Sequence, residues 1–251
     1  MAFPSTSSIY DRIYRLDLVY EPDCWRKCGD AHCCSFSRHK AKFRFLAKEA
    51  GQELPLLPGE FEFLASSGWT RQFREFERRR FEYDFGSGTV VYETVFSSRF
   101  PCACDHDTRT TVCRLYPLLP TYETDGRVTG AEPLGIYEEL EAIGGLRPAC
   151  ELSALPFSQI GLFLEIANLL GRHPKLLFHL MAYRLAKRHV AGRIRAAEGE
   201  GDAGVFALFE RRFMRRRLFD HATLKRDLEA LWRRFAALYG DRFLDEIALP
   251  R

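Results

Sequence analysis

Seven of the eight cysteines in this chain fall into two groups, and their side chains are the residues best suited to chemistry. The first group packs Cys24, Cys28, Cys33 and Cys34 into the run Cys24-Trp-Arg-Lys-Cys28-Gly-Asp-Ala-His-Cys33-Cys34. The second comprises Cys102-Ala-Cys104 and, further on, Cys113-Arg-Leu-Tyr-Pro117. Thiolates so closely spaced can converge on one metal centre where the backbone turns tightly, and Gly29 supplies the dihedral freedom for such a turn. The two groups therefore read as halves of one thiolate metal site. A tetrahedral zinc takes four ligands. Four thiolates also hold a 4Fe-4S iron–sulfur cluster, and further thiols then serve as exchange ligands, a second site or redox partners. All-thiolate sites suit both metals, so ligand softness leaves the choice open. We take an iron–sulfur cluster as the expectation and zinc, as a structural knot, as the alternative.

The rest of the chain must position those thiols. With 251 residues it can bury a substantial core and needs no crosslinks to fold. Met1 to Ser8 has no basic segment followed by an apolar run, so a reducing cytoplasm is the expected location. In that compartment clustered cysteines favour metal over disulfides. The most apolar stretch, Ile160 to Leu170, is too short to span a bilayer and carries Glu165 and Asn168. It is expected to be a buried helix, with no membrane partner.

The spacing of Phe36, Phe43 and Leu46 predicts a helix over Ser35 to Glu49, which would put Cys33 and Cys34 at a helix start, where amides and dipole stabilise thiolates. Pro58 opens a short helix over Leu57 to Leu64. Alternation in Phe81–Phe85 and Thr89–Val95 around Gly86-Ser-Gly88 predicts a hairpin that delivers the chain to Cys102. The stretch Pro117 to Gly135 reads as a loop, and Ile136 to Ile143 as a short acidic helix stopped by Gly144-Gly145. Four helices follow over 157–170, 174–197, 203–218 and 221–239, with Pro156, Pro174, Gly171 and Asp220 as their boundary residues. The fold class expected is α+β, mostly helical, with a cysteine-rich region carrying a β-hairpin over residues 1–150 and a helical region over 151–251, packed as one unit.

The Cys-x3-Cys-x4-Cys-Cys run, the segment Pro58-Gly59-Glu60-Phe61 and the distal Cys104-x8-Cys113-Arg-Leu-Tyr-Pro resemble the YkgJ-like cysteine-cluster family, described as zinc- or iron-chelating proteins. Flagellin lysine N-methylases are similar to the same pattern more weakly. The resemblance covers about residues 24–117 and implies Cys24, Cys28, Cys33, Cys34, Cys104 and Cys113 as ligands, with Cys102 as an extra thiol. It also implies modification of a protein or peptide substrate. This chain departs from the family pattern in a wider first motif and in Thr110, where an Arg-Pro pair would continue after Arg109.

Other candidates carry weaker chemistry. His32 and His106 lie inside the cysteine groups and could replace thiolates, and Asp105 and Asp107 could hydrogen-bond ligands or cap a turn. Glu60 is expected to offset the dipole of a helix start. Cys150 stands apart as a small apolar residue, and His179 sits between Leu176 and Leu180 on a helix face.

Residues 172–251 hold 18 Lys/Arg against 10 Asp/Glu, whereas 118–171 hold 2 against 8. Within the basic half, Arg211 to Arg217 interleaves arginines with Phe213 and Met214 and suits an acidic partner. Nothing in the chain matches a nucleic-acid-binding motif, a nucleotide-binding loop or a hydrolase nucleophile. The leading expectation is thus a cytoplasmic iron–sulfur protein that acts in protein or peptide modification. A zinc-binding module with partner-binding basic helices, and a thiol redox protein, are the alternatives.

Overall fold

The computed structural model describes residues 4–19, 43–44, 52–73, 75–97, 109–145, 156–197, 204–240 and 243. Among them the chain is α+β. It runs α1 (Thr6–Tyr14), β1 (Gln52–Leu56), α2 (Glu60–Ser66), a 3-10 turn (Trp69–Gln72), β2 (Glu77–Asp84), β3 (Thr89–Ser97), α3 (Thr111–Leu115), β4 (Leu118–Tyr122), β5 (Val128–Pro133), α4 (Ile136–Ile143), α5 (Phe157–Gly171), α6 (Pro174–Arg195), α7 (Val205–Met214) and α8 (His221–Tyr239). No helix among the described residues is long and apolar enough to cross a membrane.

The predicted hairpin forms, with Asp84 opposite Thr89, but it is one side of a three-stranded antiparallel sheet in the order β1-β3-β2. β3 is central because its Val90, Val95 and Phe96 are buried. The tip of the hairpin docks on α8: the Ser87 amide and hydroxyl both donate to Glu229, each at 2.6 Å. Gly88 belongs there because a side chain would meet the rings of Phe85 and Trp232 at about 3 Å.

The expected loop over Pro117 to Gly135 is instead a second antiparallel hairpin, β4–β5. Its turn is closed by Glu123 N to Arg127 O at 3.0 Å and by Asp125 Oδ1 accepting from Arg127 N at 3.0 Å. The prolines that suggested a loop are tolerated because each strand of a two-stranded sheet has an unpaired edge. Gly126, at φ 87°, lets this turn press against the C-terminal end of α5.

Helix boundaries follow the caps. α4 spans Ile136–Ile143 and ends at Gly144, Pro174 occupies the first turn of α6, and the Asp220 carboxylate accepts from Thr223 N to start α8. α2 starts at Glu60, after Gly59 in the left-handed region, so Pro58 precedes the helix and does not open it. The apolar stretch of α5 is only half buried. Phe163, Ile166 and Leu170 face the core, while Phe157, Ile160 and Leu164 are exposed. Clustered hydrophobicity alone hid this split, because it says how much is apolar and not which face is covered.

One apolar core takes Ile9, Ile13, Leu115 and Leu119 together with Ile166, Leu170, Leu176 and Phe235. A smaller cluster packs Leu54, Leu56, Trp69 and Val95 beside Cys113. The predicted helix over Ser35 to Glu49 lies outside the described residues, apart from Phe43, which packs on Phe206 with 5.3 Å between ring centroids, and Arg44.

Candidate functional site

Of the seven thiols expected to ligate a metal, Cys113 is described. Cys24, Cys28, Cys33, Cys34, Cys102 and Cys104 lie outside the described residues, as do His32, His106, Asp105, Asp107 and Cys150. Among the described residues no group of three or more His, Cys, Asp and Glu side chains is placed to hold a metal ion. What the structure describes is how Cys113 is held, and what holds it.

Cys113 lies in the first turn of α3 and is half-buried. Thr110 caps the helix, its hydroxyl accepting from Cys113 N at 3.4 Å. Each neighbour in Cys113-Arg-Leu-Tyr-Pro has a structural task that fixes the turn. Leu115 is fully buried, and the Tyr116 hydroxyl donates to Glu138 of α4.

Arg114 does most of the fixing. Its side chain is buried to 5% exposure, and a guanidinium so placed must have its donors satisfied. Nε donates to the Arg109 carbonyl at 3.1 Å, and Nη1 donates to the Leu16 carbonyl at 3.1 Å. The guanidinium carbon also stands 4.7 Å from the ring centroid of Tyr14, a cation–π distance. Leu16 precedes the first cysteine group by eight residues, and Arg109 follows Cys104 by five. The chain entering one cysteine group and the chain leaving the other are therefore joined by the side chain next to Cys113.

Behind this joint lies Glu60, fully buried. Its Oε1 accepts from the Thr111 amide at 2.6 Å and from the Tyr14 hydroxyl at 2.8 Å, and its Oε2 accepts from the Leu57 amide at 2.8 Å. Burial pushes this carboxyl above its usual range, while the three donated bonds pull it back. Burial, with the adjoining Glu60, also raises the Tyr14 phenol strongly, so Tyr14 stays a neutral donor. Glu60 thus ties α1, α2 and α3 into one unit and does more than offset a helix dipole.

Sequence reasoning missed both Arg114 and Tyr14. The arginine stands inside the quoted motif, and its place beside a candidate ligand was the available signal; Tyr14 gave none.

The sequence put the whole arginine-rich segment on a helix over 203–218, but α7 ends at Met214, so Arg215 to Arg217 lie beyond the helix. Arg211 and Arg212 close α7, Arg215 to Arg217 follow it exposed, and Phe213 and Met214 are 49% and 60% exposed beside them. Compared with protein-family models, curated proteins and solved structures, the chain finds no match in any of the three.

Proposed function

We propose that this chain is a metalloprotein that holds an iron–sulfur cluster, of the 4Fe-4S kind, with thiolates drawn from Cys24, Cys28, Cys33, Cys34, Cys102, Cys104 and Cys113. The observation that carries the reading is the double hydrogen bond of Arg114 to the Leu16 and Arg109 carbonyls. It brings the backbone on the near side of each cysteine group to the helix that bears Cys113, as a shared site would need. The cysteine spacing and its resemblance to the YkgJ-like pattern support the same reading. A cytoplasmic setting, where thiols stay reduced, fits it as well.

The similarity to flagellin lysine N-methylases extends the proposal to modification of a protein or peptide substrate. The cluster would supply electron transfer or a binding point for that substrate, and the exposed arginines 215–217 would receive acidic residues on it. Zinc is the alternative occupant. The exposed Phe213 and Met214 beside those arginines favour, in that case, a non-catalytic module with a partner-binding helix end.

The test is anaerobic purification followed by an absorption spectrum and measurement of iron, zinc and sulfide on one sample. Iron and sulfide with broad visible absorption support the cluster. A colourless protein with stoichiometric zinc replaces it with the zinc module, and neither metal overturns both.

A further inference from the structure

We propose that the outer edge of β2 is a homodimer interface, where a second copy of this chain pairs antiparallel about a two-fold axis at Phe81 and joins the two three-stranded sheets into one. This goes beyond the cysteine reading and does not depend on it.

In the order β1-β3-β2 the strand β2 lies at an edge. An exposed edge is ordinarily blunted by shortness, by proline, by a bulge or by charges that repel a copy of the same strand. β2 has none of the first three: it runs for eight residues, Glu77–Asp84, in unbroken register with β3 and without proline. The direction of its free backbone groups follows from the hairpin turn. Phe85 N donates to Gly88 O at 3.0 Å, and bonded pairs alternate along an antiparallel ladder. Tyr83, Phe81 and Arg79 therefore turn their backbone groups towards β3, while Asp84, Glu82, Arg80 and Arg78 turn theirs outward. None of those outward amides or carbonyls is bonded to other backbone among the described residues.

The charges on this edge are of both signs and are ordered. Arg78 and Arg80 are followed by Glu82 and Asp84 on the same face of the strand. A copy paired parallel and in register would set each charge against its own kind. Pairing antiparallel about Phe81 sets Arg80 of each copy opposite Glu82 of the other, and Arg78 opposite Asp84. These are the outward-turned residues, so each such pair also exchanges two backbone bonds. Within one chain Arg80 already donates to Glu82 at 2.8 Å, with the two side chains 42% and 52% exposed. The same pair from the second copy completes a square of four charges in which every neighbour is opposite in sign. Arg78 adds less, being held by Glu93 and Glu62, each at 2.8 Å.

Phe81 supplies the apolar centre. It is 54% exposed in the middle of the strand, on the opposite face from those charges. On the two-fold axis it meets Phe81 of the other copy in a non-bonded pair, where side chains approach most closely and aromatic pairs stabilise. The match also fixes the register, because a slip of two residues either way sets Arg80 or Glu82 opposite itself. An interface of this kind is isologous and closes on two copies.

The experiment measures sedimentation of the full-length protein, kept anaerobic, over a concentration series, with amide hydrogen exchange on the same samples. The wild type is expected to pass from monomer to dimer, and the amides of Arg78, Arg80, Glu82 and Asp84 to become protected as it does. Arg80→Glu sets like charges opposite one another in both symmetric pairs and is expected to weaken the dimer by about tenfold or more. Glu82→Arg alone should do the same. The two substitutions in one chain should restore the dimer, and mixing the two single variants should give a heterodimer tighter than either homodimer. Phe81→Arg, at an exposed position, should weaken association with the other charges left in place. A wild type that stays monomeric, a dimer that Arg80→Glu leaves as tight, or single variants that do not associate on mixing would each overturn the proposal. A dimer whose outward β2 amides stay unprotected would overturn it as well, by placing the contact elsewhere.

Discussion

The Arg114 guanidinium donates to the carbonyl of Leu16 across 98 residues of sequence, at 3.1 Å. A charged donor to a part-buried carbonyl contributes about 2 kcal/mol, and the same side chain makes a second such bond to Arg109. Arg114→Met should therefore destabilise the fold by about 2 kcal/mol or more in chemical denaturation, since it also leaves two carbonyls without their donor. If the two cysteine groups share a site, it should in addition lower bound metal per folded chain. Metal content unchanged in folded Arg114→Met would separate the joint from the site.

Glu60 offers a sharper probe of the same region because its two oxygens accept three bonds. In Glu60→Gln one oxygen becomes an NH2, which must face either the Leu57 amide or the Thr111 amide and Tyr14 hydroxyl, donor against donor. A loss of about 2 kcal/mol is expected from one orphaned buried donor. Burial raises the native carboxyl above its unfolded value, so folding takes up a proton in that interval and the ionised form is the less stable one. The glutamine variant should lack this contribution, and the wild-type advantage should shrink as the pH rises through the raised value. A difference between the two that does not vary with pH would contradict this account.

For the metal, Cys28→Ala and Cys113→Ala are each expected to reduce iron or zinc per chain, whereas Cys150→Ala is not. Elemental analysis of the three variants beside the wild type decides it. Full retention by both Cys28→Ala and Cys113→Ala would end the shared-site proposal.

The helical half was legible because its signals are local. Pro174 in a first turn, Gly144 after α4 and Asp220 before α8 each act within four residues, and each sits where the sequence placed it. The sheet was half legible for the opposite reason. In β2 the run Glu77-Arg-Arg-Arg80 hides a period of two, because Arg79 itself lies over the Phe96 ring at 3.8 Å and Arg78 pairs with Glu93. The β1 strand pairs with β3 some forty positions away, from Gln52 opposite Ser97 to Leu56 opposite Glu93, and carries a proline. No local rule finds such a strand. The thiols were visible in the sequence as residue types, but the bonds that tie their flanking segments, Arg114 to Leu16 and Glu60 to Thr111, are contacts between distant parts of the chain.

Two buried histidines make stability depend on pH. In an unfolded chain an imidazole takes up its proton near pH 6.5, whereas burial and the Lys175 charge hold both His173 and His179 to about 4. Between those values the unfolded state binds more protons, so stability should fall as the pH drops from 6.5 towards 4 and stay level above 6.5. His179 alone should account for about 2 kcal/mol between pH 7 and pH 5. Denaturation of wild type and His179→Leu at both pH values checks this. An equal loss in both proteins would show that other groups set the dependence.

Gly126 and Gly171 mark the closest approach of the second hairpin to α5. A Cβ on Gly126 would lie 2.2 Å from the Gly171 carbonyl oxygen, and one on Gly171 would lie 2.4 Å from the Gly126 carbonyl oxygen. Backbone cannot yield as a flexible side chain does, and Gly126 also sits at φ 87°. Gly126→Ala is therefore expected to cost about 3 kcal/mol, combining strain and clash. Gly161, inside α5 with nothing within 4 Å of an added Cβ, should behave oppositely. Gly161→Ala removes only the entropy that a helical glycine loses on folding, and should stabilise by about 0.5–1 kcal/mol. The midpoints of urea unfolding for the two variants should thus move in opposite directions from the wild type, and a shared direction would contradict the close packing of the hairpin against α5.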